Sequence, residues 1–234
     1  MTPADATPLA LDAINRLQAA LNLGGAAMWA IAALSVATLA LILWKLWALL
    51  AFGAWSGGKH TTRALAHWAE GHEAAALAEL AGRNSLRARL TRAAMQAARH
   101  PGFGRAAAEA ETGRVARALL LDAGAGLRGL ELASTIGPLL GLLGTITGMI
   151  TAFQALQLAG ARADPATLAG GIWEALLTTA AGMAVAIPAQ VALTWFESVV
   201  DRLRHDMEDA ATQVFLRAAG QVQGGAPGAD AGPG

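Results

Sequence analysis

The stretch Gly137–Phe153, GPLLGLLGTITGMITAF, is apolar enough to cross a membrane, yet it contains four glycines, one proline and three threonines. Each glycine costs a helix about 1 kcal/mol relative to alanine. At about 100° per residue, the four glycines fall within about 60° of one another on a helix. A stripe of small residues lets two helix backbones approach closely in lipid. The pattern therefore predicts a membrane helix that packs through Gly137, Gly141, Gly144 and Gly148.

The three threonines of this stretch, Thr145, Thr147 and Thr151, have two interpretations. A threonine in a membrane helix ordinarily donates its hydroxyl to the carbonyl one turn earlier. A hydroxyl both donates and accepts hydrogen bonds, so the same three threonines are also able to line a polar pathway. Pro138 lies near the predicted membrane entry, where a kink is tolerated.

Three long windows of the chain carry no charge: between Arg16 and Lys45, between Glu131 and Arg162, and between Glu174 and Glu197. Each exceeds the roughly 20 residues that cross about 30 Å of hydrocarbon. Overall, 55% of the residues are apolar and 15% are charged. The predicted fold is all-α, a polytopic membrane protein with three transmembrane helices. Three buried helices of a soluble bundle are disfavoured, because charge-free runs of this length are rare in soluble helices.

The segments between and after these windows are more polar and predict helices that extend into the cytoplasm. Spaced apolar residues with charges between them favour amphipathic helices in the region 59–100, which Pro101 and Gly102 then interrupt. From Gly104 no proline precedes the second window, so one long helix is expected to continue into the bilayer. The third span is expected to continue likewise into a cytoplasmic helix. The Gly- and Pro-rich tail is predicted to be disordered.

The distribution of charge predicts the orientation in the membrane. The region 59–128 holds eleven Lys and Arg residues and six acids, whereas Arg16 and Arg162 are the only basic residues near the other side. By the positive-inside rule, the N-terminus is periplasmic and the large loop and the C-terminus are cytoplasmic. The predicted segments are 1–25 periplasmic, 26–47 first span, 48–129 cytoplasmic helical loop, 130–158 second span, 159–167 periplasmic hairpin, 168–197 third span, 198–220 cytoplasmic helix and 221–234 disordered tail.

The third predicted span begins with the segment GGIWEALLTTAAGMAVAIPAQ from Gly170, which carries an acid near the predicted membrane boundary. Glu174 is either an ordinary interfacial acid or a group inside the boundary, where an ionisable residue suggests a proton or ion path. Thr178 follows one turn later on the same face, and Thr179 is turned about 140° from the acid. Gly182 is a further candidate for helix packing, and Pro188 for a helix kink.

These two segments resemble the MotA/TolQ/ExbB proton-channel family. GPLLGLLGTITGMITAFQAL is similar to the family's second-span motif, and GGIWEALLTTAAGMAVAIPAQ to its third-span motif, in the same order and separation. The three-span plan favours the ExbB and TolQ branches over MotA, which has a fourth span. The stretch LLGLLGTITGMI is more similar to ExbB than to TolQ members. The chain departs from the family at Thr147, where a Trp is frequent, and at Leu193 and Thr194, where a Tyr-Asn pair is frequent.

The resemblance implies a set of roles for named residues. Thr145, Glu174 and Thr179 match proton-pathway positions, Thr178 is the alternative to Thr179 as the pore-facing threonine, and Pro138 and Pro188 match prolines that set helix geometry. It also implies a pentamer in the bacterial inner membrane around two copies of a single-span partner similar to ExbD or TolR. That complex uses the proton motive force to energise a TonB- or TolA-like protein.

Two alternatives stay open: a TolQ-like subunit for cell-envelope integrity, or a membrane scaffold that conducts no protons. An intramembrane protease is disfavoured, because the spans contain no Ser/His or paired Asp arrangement. No enzyme activity, cofactor or metal is expected, since the chain has no Cys and its five histidines, His60, His67, His72, His100 and His205, show no metal-binding spacing. The net charge of zero argues against a nucleic-acid partner, whereas the basic loop is suited to anionic membrane lipid.

Overall fold

The computed structural model of the protein describes residues 18, 24–51, 53, 58–160 and 164–224. Within these ranges the chain forms helices and turns and contains no β-strand, so the predicted all-α class is confirmed. The helices are α1 (Gly25–Ala51), α2 (Gly58–Glu70), α3 (Glu73–Glu79), α4 (Leu86–Arg99), α5 (Arg105–Gly124), α6 (Leu127–Ala159) and α7 (Pro165–Gly224).

Among the described residues, three stretches are long and apolar enough to cross a membrane, as predicted: α1, the α5–α6 stretch Arg105–Ala159, and Pro165–Arg217 of α7. The predicted N-terminal segment 1–25 lies almost wholly outside the described residues, as do Arg162 and residues 225–234. The α7 helix continues to Gly224, four residues into the predicted tail 221–234.

The expected single helix from Gly104 into the second span is interrupted, which corrects the prediction. The α5 helix ends at Gly124 and α6 begins at Leu127, with Gly126 between them at a φ of +84°. Glycine adopts this left-handed conformation without the steric cost that a Cβ adds. The buried Lys45 ammonium donates to the carbonyls of Ala123 and Ala125. It thereby provides hydrogen bonds to carbonyls that have no partner within the helix at the end of α5.

The chain divides into two compact units. The first, here called the membrane unit, comprises the described residues of Met1–Trp44 and Gly126–Trp195. The second, the polar unit, comprises those of Lys45–Ala125 and Phe196–Gly234.

The start of α7 in the membrane unit follows from its first residues. Asp164 precedes the helix, and its carboxylate accepts from the Ala166 amide at 3.0 Å. Pro165 occupies the first helical position, where a missing amide proton costs nothing and its φ is already suited to a helix. An acidic cap followed by proline therefore places the beginning of the third span.

The polar unit has an ordinary hydrophobic core. Ser85 caps α4 by accepting from the Ala88 amide at 3.4 Å. The Trp68 indole donates to the Val214 carbonyl at 3.3 Å and joins α2 to α7. The main buried cluster consists of Ala64, Trp68, Ala76, Leu80, Ala88, Ala94, Met95, Ala97, Ala108, Val214 and Phe215.

Candidate functional site

The glycines of α6 lie against α7 in the membrane unit, where the two backbones come into direct contact. A Cβ added to Gly137 would lie 2.9 Å from the Gly182 carbonyl oxygen, and one added to Gly141 would lie 2.9 Å from Thr179 Cα. Real Cβ atoms do not approach backbone atoms so closely, and backbone atoms cannot rotate away. These positions therefore require glycine for the observed helix separation.

The same contact continues one and two turns later along α6. A Cβ on Gly144 would overlap the Thr178 side chain, and one on Gly148 would lie 3.1 Å from Ala175 Cβ. All four glycines of the stretch thus face a single neighbouring helix. The structure brings together α6 and α7 along the stripe that the helical wheel defines.

A cluster of three threonine hydroxyls lies where α6 and α7 meet. The hydroxyl oxygens of Thr145 and Thr179 are 3.2 Å apart, and either one is able to donate to the other. Thr179 also donates to the Gly141 carbonyl at 3.0 Å. Thr178, on the adjacent position of α7, donates to Ala175 O at 2.7 Å and lies 3.3 Å from the same Gly141 carbonyl.

The Gly141 carbonyl is the shared acceptor of this threonine cluster, because Thr145 also approaches it at 3.2 Å. Thr145 has a second acceptor, Leu142 O, at 2.8 Å. A hydroxyl donates one proton at a time, and a carbonyl has two lone pairs. The three hydroxyls therefore have more acceptors than protons, and several hydrogen-bond arrangements fit the same heavy-atom geometry.

The three threonines differ in accessibility. Thr178 is 1% exposed and closed between the helices, whereas Thr145 and Thr179 are half-buried. Two further threonines of the stretch, Thr147 and Thr151, donate to their own helix at Leu143 O and Thr147 O, each at 3.0 Å. The hydrogen bonds of Thr147 and Thr151 are those of an ordinary membrane threonine, whereas Thr145 also meets a hydroxyl of α7.

Glu174 lines a cavity of about 730 Å³ in the membrane unit. Its wall is formed mainly by small residues and hydroxyls, among them Thr147, Thr151 and Thr178. No described residue forms a hydrogen bond or ion pair with the half-buried Glu174 side chain. This volume is far larger than the roughly 30 Å³ that one water occupies, so water is able to reach and solvate the carboxylate.

The two candidate kink residues lie inside the helices of the membrane unit. Pro138 is within α6 and half-buried, and Pro188 is within α7 and exposed. A proline lacks the amide proton that bonds to the carbonyl four residues earlier, here those of Ser134 and Ala184. Both weakened positions lie near the same end of the glycine contact, where Gly137 meets Gly182 and Ala186.

Comparison with known proteins identifies the family. The sequence profile of the MotA/TolQ/ExbB proton channel family matches residues 82–209, which is more than half of the chain. The protein therefore belongs to the MotA/TolQ/ExbB proton channel family, and the resemblance inferred from the two span motifs is confirmed.

Several relatives carry ExbB names. The chain is 40% identical over 86 residues to the biopolymer transport protein exbB1 of Vibrio cholerae, over 35% of this chain and 38% of that protein. It is 53% identical over 60 residues to the putative biopolymer transport protein ExbB-like 1 of Synechocystis, over 25% and 24% of the two chains. It is 37% identical over 91 residues to the biopolymer transport protein ExbB of Xanthomonas campestris, and the match covers 35% of this chain and 36% of that protein. The chain thus matches less than two fifths of the length of each of these relatives.

Proposed function

We propose that the protein is the proton-channel and motor subunit of an ExbB–ExbD-type complex of the bacterial inner membrane. In this complex, proton flow energises a TonB-like protein for outer-membrane transport. The hydroxyl pair of Thr145 and Thr179, 3.2 Å apart and half-buried, is the observation that carries the proposal. Family membership and the ExbB names of the relatives support it.

The threonine pair has the chemistry that a proton path needs. Hydroxyls donate and accept without carrying a fixed charge, so they order water or meet a carboxylate without trapping the proton. Each proton that crosses supplies about 2.3 kcal/mol per 100 mV of membrane potential. Because the pair is half-buried in the chain alone, the two hydroxyls remain open to another subunit.

A single-span partner similar to ExbD or TolR completes the proposed site by bringing a carboxylate to Thr145 and Thr179. Burial raises the pKa of a carboxyl group, so such an acid is able to load and release a proton near neutral pH. The proposal includes a pentamer of this chain around two partner copies, with the N-terminus periplasmic and the C-terminus cytoplasmic.

Glu174 has a separate part in the proposed path. It faces the cavity that also reaches Thr178, and Thr178 shares the Gly141 carbonyl with Thr179. We assign the cavity as the water-filled end of the path and the Thr145–Thr179 pair as its narrow part. Gly137, Gly141, Gly144, Gly148 and Gly182 hold α6 and α7 at the distance that lets the hydroxyls meet, and Pro138 and Pro188 set the course of the two helices.

Valine substitution tests the proposal, since valine keeps the shape of threonine and removes the hydroxyl. In the complex co-expressed with its single-span partner, Thr145→Val and Thr179→Val are each expected to lower proton-gradient-driven activity by about tenfold or more, the equivalent of about 1.4 kcal/mol. Thr145→Ser and Thr179→Ser should retain it. The measurement is proton uptake into proteoliposomes, together with the mass of the purified complex.

Thr135→Val is the matched control. Thr135 is exposed on the same helix and, within the described part of the chain, donates to Glu131 O alone, at 3.0 Å. Loss of activity in the two test variants with normal assembly and an unchanged control supports a proton path. Full activity in both test variants and in Glu174→Gln would contradict the proposal. That result would favour the alternative function, a membrane scaffold that conducts no protons.

A further inference from the structure

A turn in the polar unit brings together three side chains of the kinds that bind metal ions in proteins, His67, Glu70 and His72. The α2 helix ends at Glu70 and Gly71 follows at a φ of +96°. The His72 amide then donates to the His67 carbonyl at 2.9 Å, and the Gly71 amide to the Trp68 carbonyl at 3.3 Å. This pair of hydrogen bonds is the Schellman motif, which normally places two apolar residues in contact across the helix end.

Here the two positions that the motif brings together are both histidine. The imidazole rings of His67 and His72 meet edge to face with centroids 6.4 Å apart. Glu70 lies between them: its Oε2 is 3.3 Å from His72 Nδ1 and 3.9 Å from His67 Nδ1. One ligand atom from each of the three residues lies within 4.8 Å of the others.

We propose that His67, Glu70 and His72 form a binding site for a divalent transition-metal ion, with Zn²⁺ the best fit. Zinc binds imidazole nitrogen and carboxylate oxygen at about 2.0–2.2 Å, in a tetrahedron whose ligand atoms lie about 3.4 Å apart. Two of the observed separations, 3.3 and 3.9 Å, are close to this value and the third is below 4.8 Å, so the exposed side chains would rotate to complete the tetrahedron. Two histidines and one carboxylate leave the fourth position to water or to a ligand from another molecule.

The backbone under the site is well anchored, whereas the ligands are free to move. Trp68, inside the motif, is 4% exposed and is hydrogen-bonded to the Val214 carbonyl of α7. The side chains of His67, Glu70 and His72 are 45%, 61% and 66% exposed, so an ion reaches them without any opening of the core. A cation at this position would join the end of α2 to His72, the residue that precedes α3.

One nearby charge limits the expected affinity. A Cβ on Gly71 would lie 3.0 Å from Arg217 Nη2, so a guanidinium group sits beside the turn. Its positive charge repels a bound cation, and the exposed ligands keep their hydration in the apo state. Arg217→Gln is therefore expected to tighten Zn²⁺ binding, whereas loss of a ligand weakens it.

Titration of Zn²⁺ into the full chain tests the site. The protein is purified in detergent with a histidine-free affinity tag and stripped with a chelator, and binding is followed by calorimetry. We expect one Zn²⁺ per chain, and at least about tenfold weaker binding in each of His67→Ala, Glu70→Gln and His72→Ala. Co²⁺ in place of Zn²⁺ should give a visible absorption band that the same variants abolish.

His100→Ala and His205→Ala are the controls, since both residues are histidines of the polar unit outside the cluster. Circular dichroism checks that each variant is folded. Equal Zn²⁺ affinity in the wild type and in the His67→Ala/His72→Ala double variant would overturn the proposal, as would the absence of saturable binding in the wild type. Because the readout is metal binding and not proton flow, the result is independent of the proposed channel function.

Discussion

The α6–α7 contact of the membrane unit and the core of the polar unit are built from opposite kinds of residue. In the membrane unit, Gly137, Gly141 and Gly182 contribute no side chain, and backbone atoms meet. In the polar unit, large apolar side chains such as Leu90 and Met95 are 1% and 0% exposed. The first contact depends on the absence of side chains at its glycines, and the second depends on the presence of large apolar side chains.

The difference follows from the solvent around each set of helices. In water, burial of an apolar side chain stabilises a fold by about 1.5–3 kcal/mol, so a core is filled with large side chains. In lipid the surroundings are as apolar as the side chains, so close packing and hydrogen bonds hold helices together. Glycines that would weaken a soluble helix therefore strengthen the α6–α7 contact.

The largest expected effect comes from filling the glycine contact. A Cβ on Gly182 would overlap the Gly137 carbonyl oxygen and lie 3.1 Å from Gly141 Cα. Because the opposing atoms are backbone, Gly182→Leu must push the helices apart, at a cost above the roughly 1–3 kcal/mol typical of overpacked cores and above the roughly 2–5 kcal/mol of one emptied core position. We expect the protein to fail to accumulate in folded form in membranes, measured by resistance to proteolysis.

Gly170→Leu is the matched substitution on the same helix. Gly170 is exposed, and an added Cβ would have no atom within 4 Å. This variant should accumulate normally. If the two variants behave alike, the glycine contact does not hold the membrane unit together.

A smaller effect is expected from emptying the core of the polar unit. Leu90 packs in a second buried cluster with Leu86, Leu119 and Leu203. Leu90→Ala should destabilise this unit by about 2–5 kcal/mol, through lost burial and the cavity left behind. Hydrogen exchange of the α4 amides measures the change within this unit.

Leu121→Ala controls for the substitution, because Leu121 is on α5 in the same unit and is 76% exposed. Its effect should stay within about 0.5 kcal/mol. An equal effect of both substitutions would show that burial does not dominate in the polar unit, and the contrast with the membrane unit would fail.

The smallest expected effect is electrostatic and lies on the surface of the polar unit. The hydrogen bond from His60 lowers the pKa of Glu79 below its ordinary value, opposed by desolvation and aided by the charges of His60, Arg63 and Arg83. A carboxyl group with a lowered folded-state pKa contributes stability above its ordinary pKa, and loses it as the pH falls through the folded value. Wild type should therefore exceed Glu79→Gln in melting temperature at neutral pH, with a difference that shrinks below about pH 4.3.

Glu109→Gln is the control variant for Glu79→Gln. Glu109 is an exposed acid of the same unit that is paired with Arg105 on its own helix. A difference between wild type and Glu79→Gln that persists at low pH would contradict the assignment of the effect to carboxylate ionisation.

Local patterns predicted most of the membrane unit. Length and lack of charge indicated the three spans, and the positions of Gly137, Gly141, Gly144 and Gly148 indicated one contact face. Both inferences depend only on helix geometry and on the cost of charge in lipid. The break at Gly126 was missed, because neither glycine nor alanine ends a helix as strongly as proline does.

The threonines show where sequence patterns were insufficient. Thr178 and Thr179 are neighbours on α7, and their spacing leaves open which of them meets another helix. The structure shows that both reach the Gly141 carbonyl, but only Thr179 meets Thr145. That distinction depends on the rotation of α7 against α6, which no single-helix pattern contains.

The histidines show the same limit on a smaller scale. Counted along a continuous helix, His67 and His72 point apart, and the sequence predicted no metal site. Gly71 ends the helix with a left-handed turn and brings the two rings back together.

The sequence alone was enough to predict the number of spans, the helical class and the face of the glycine stripe. These features depend on composition and on the constant rotation of about 100° per helical residue. The hydroxyl pair, the shared carbonyl, the cavity at Glu174 and the three-ligand turn were decided by the folded chain. Each of them depends on atoms from separate helices, or from either side of a turn, meeting within hydrogen-bond or metal-ligand distance. Such meetings are set by helix rotation and backbone reversal, which sequence periodicity does not encode.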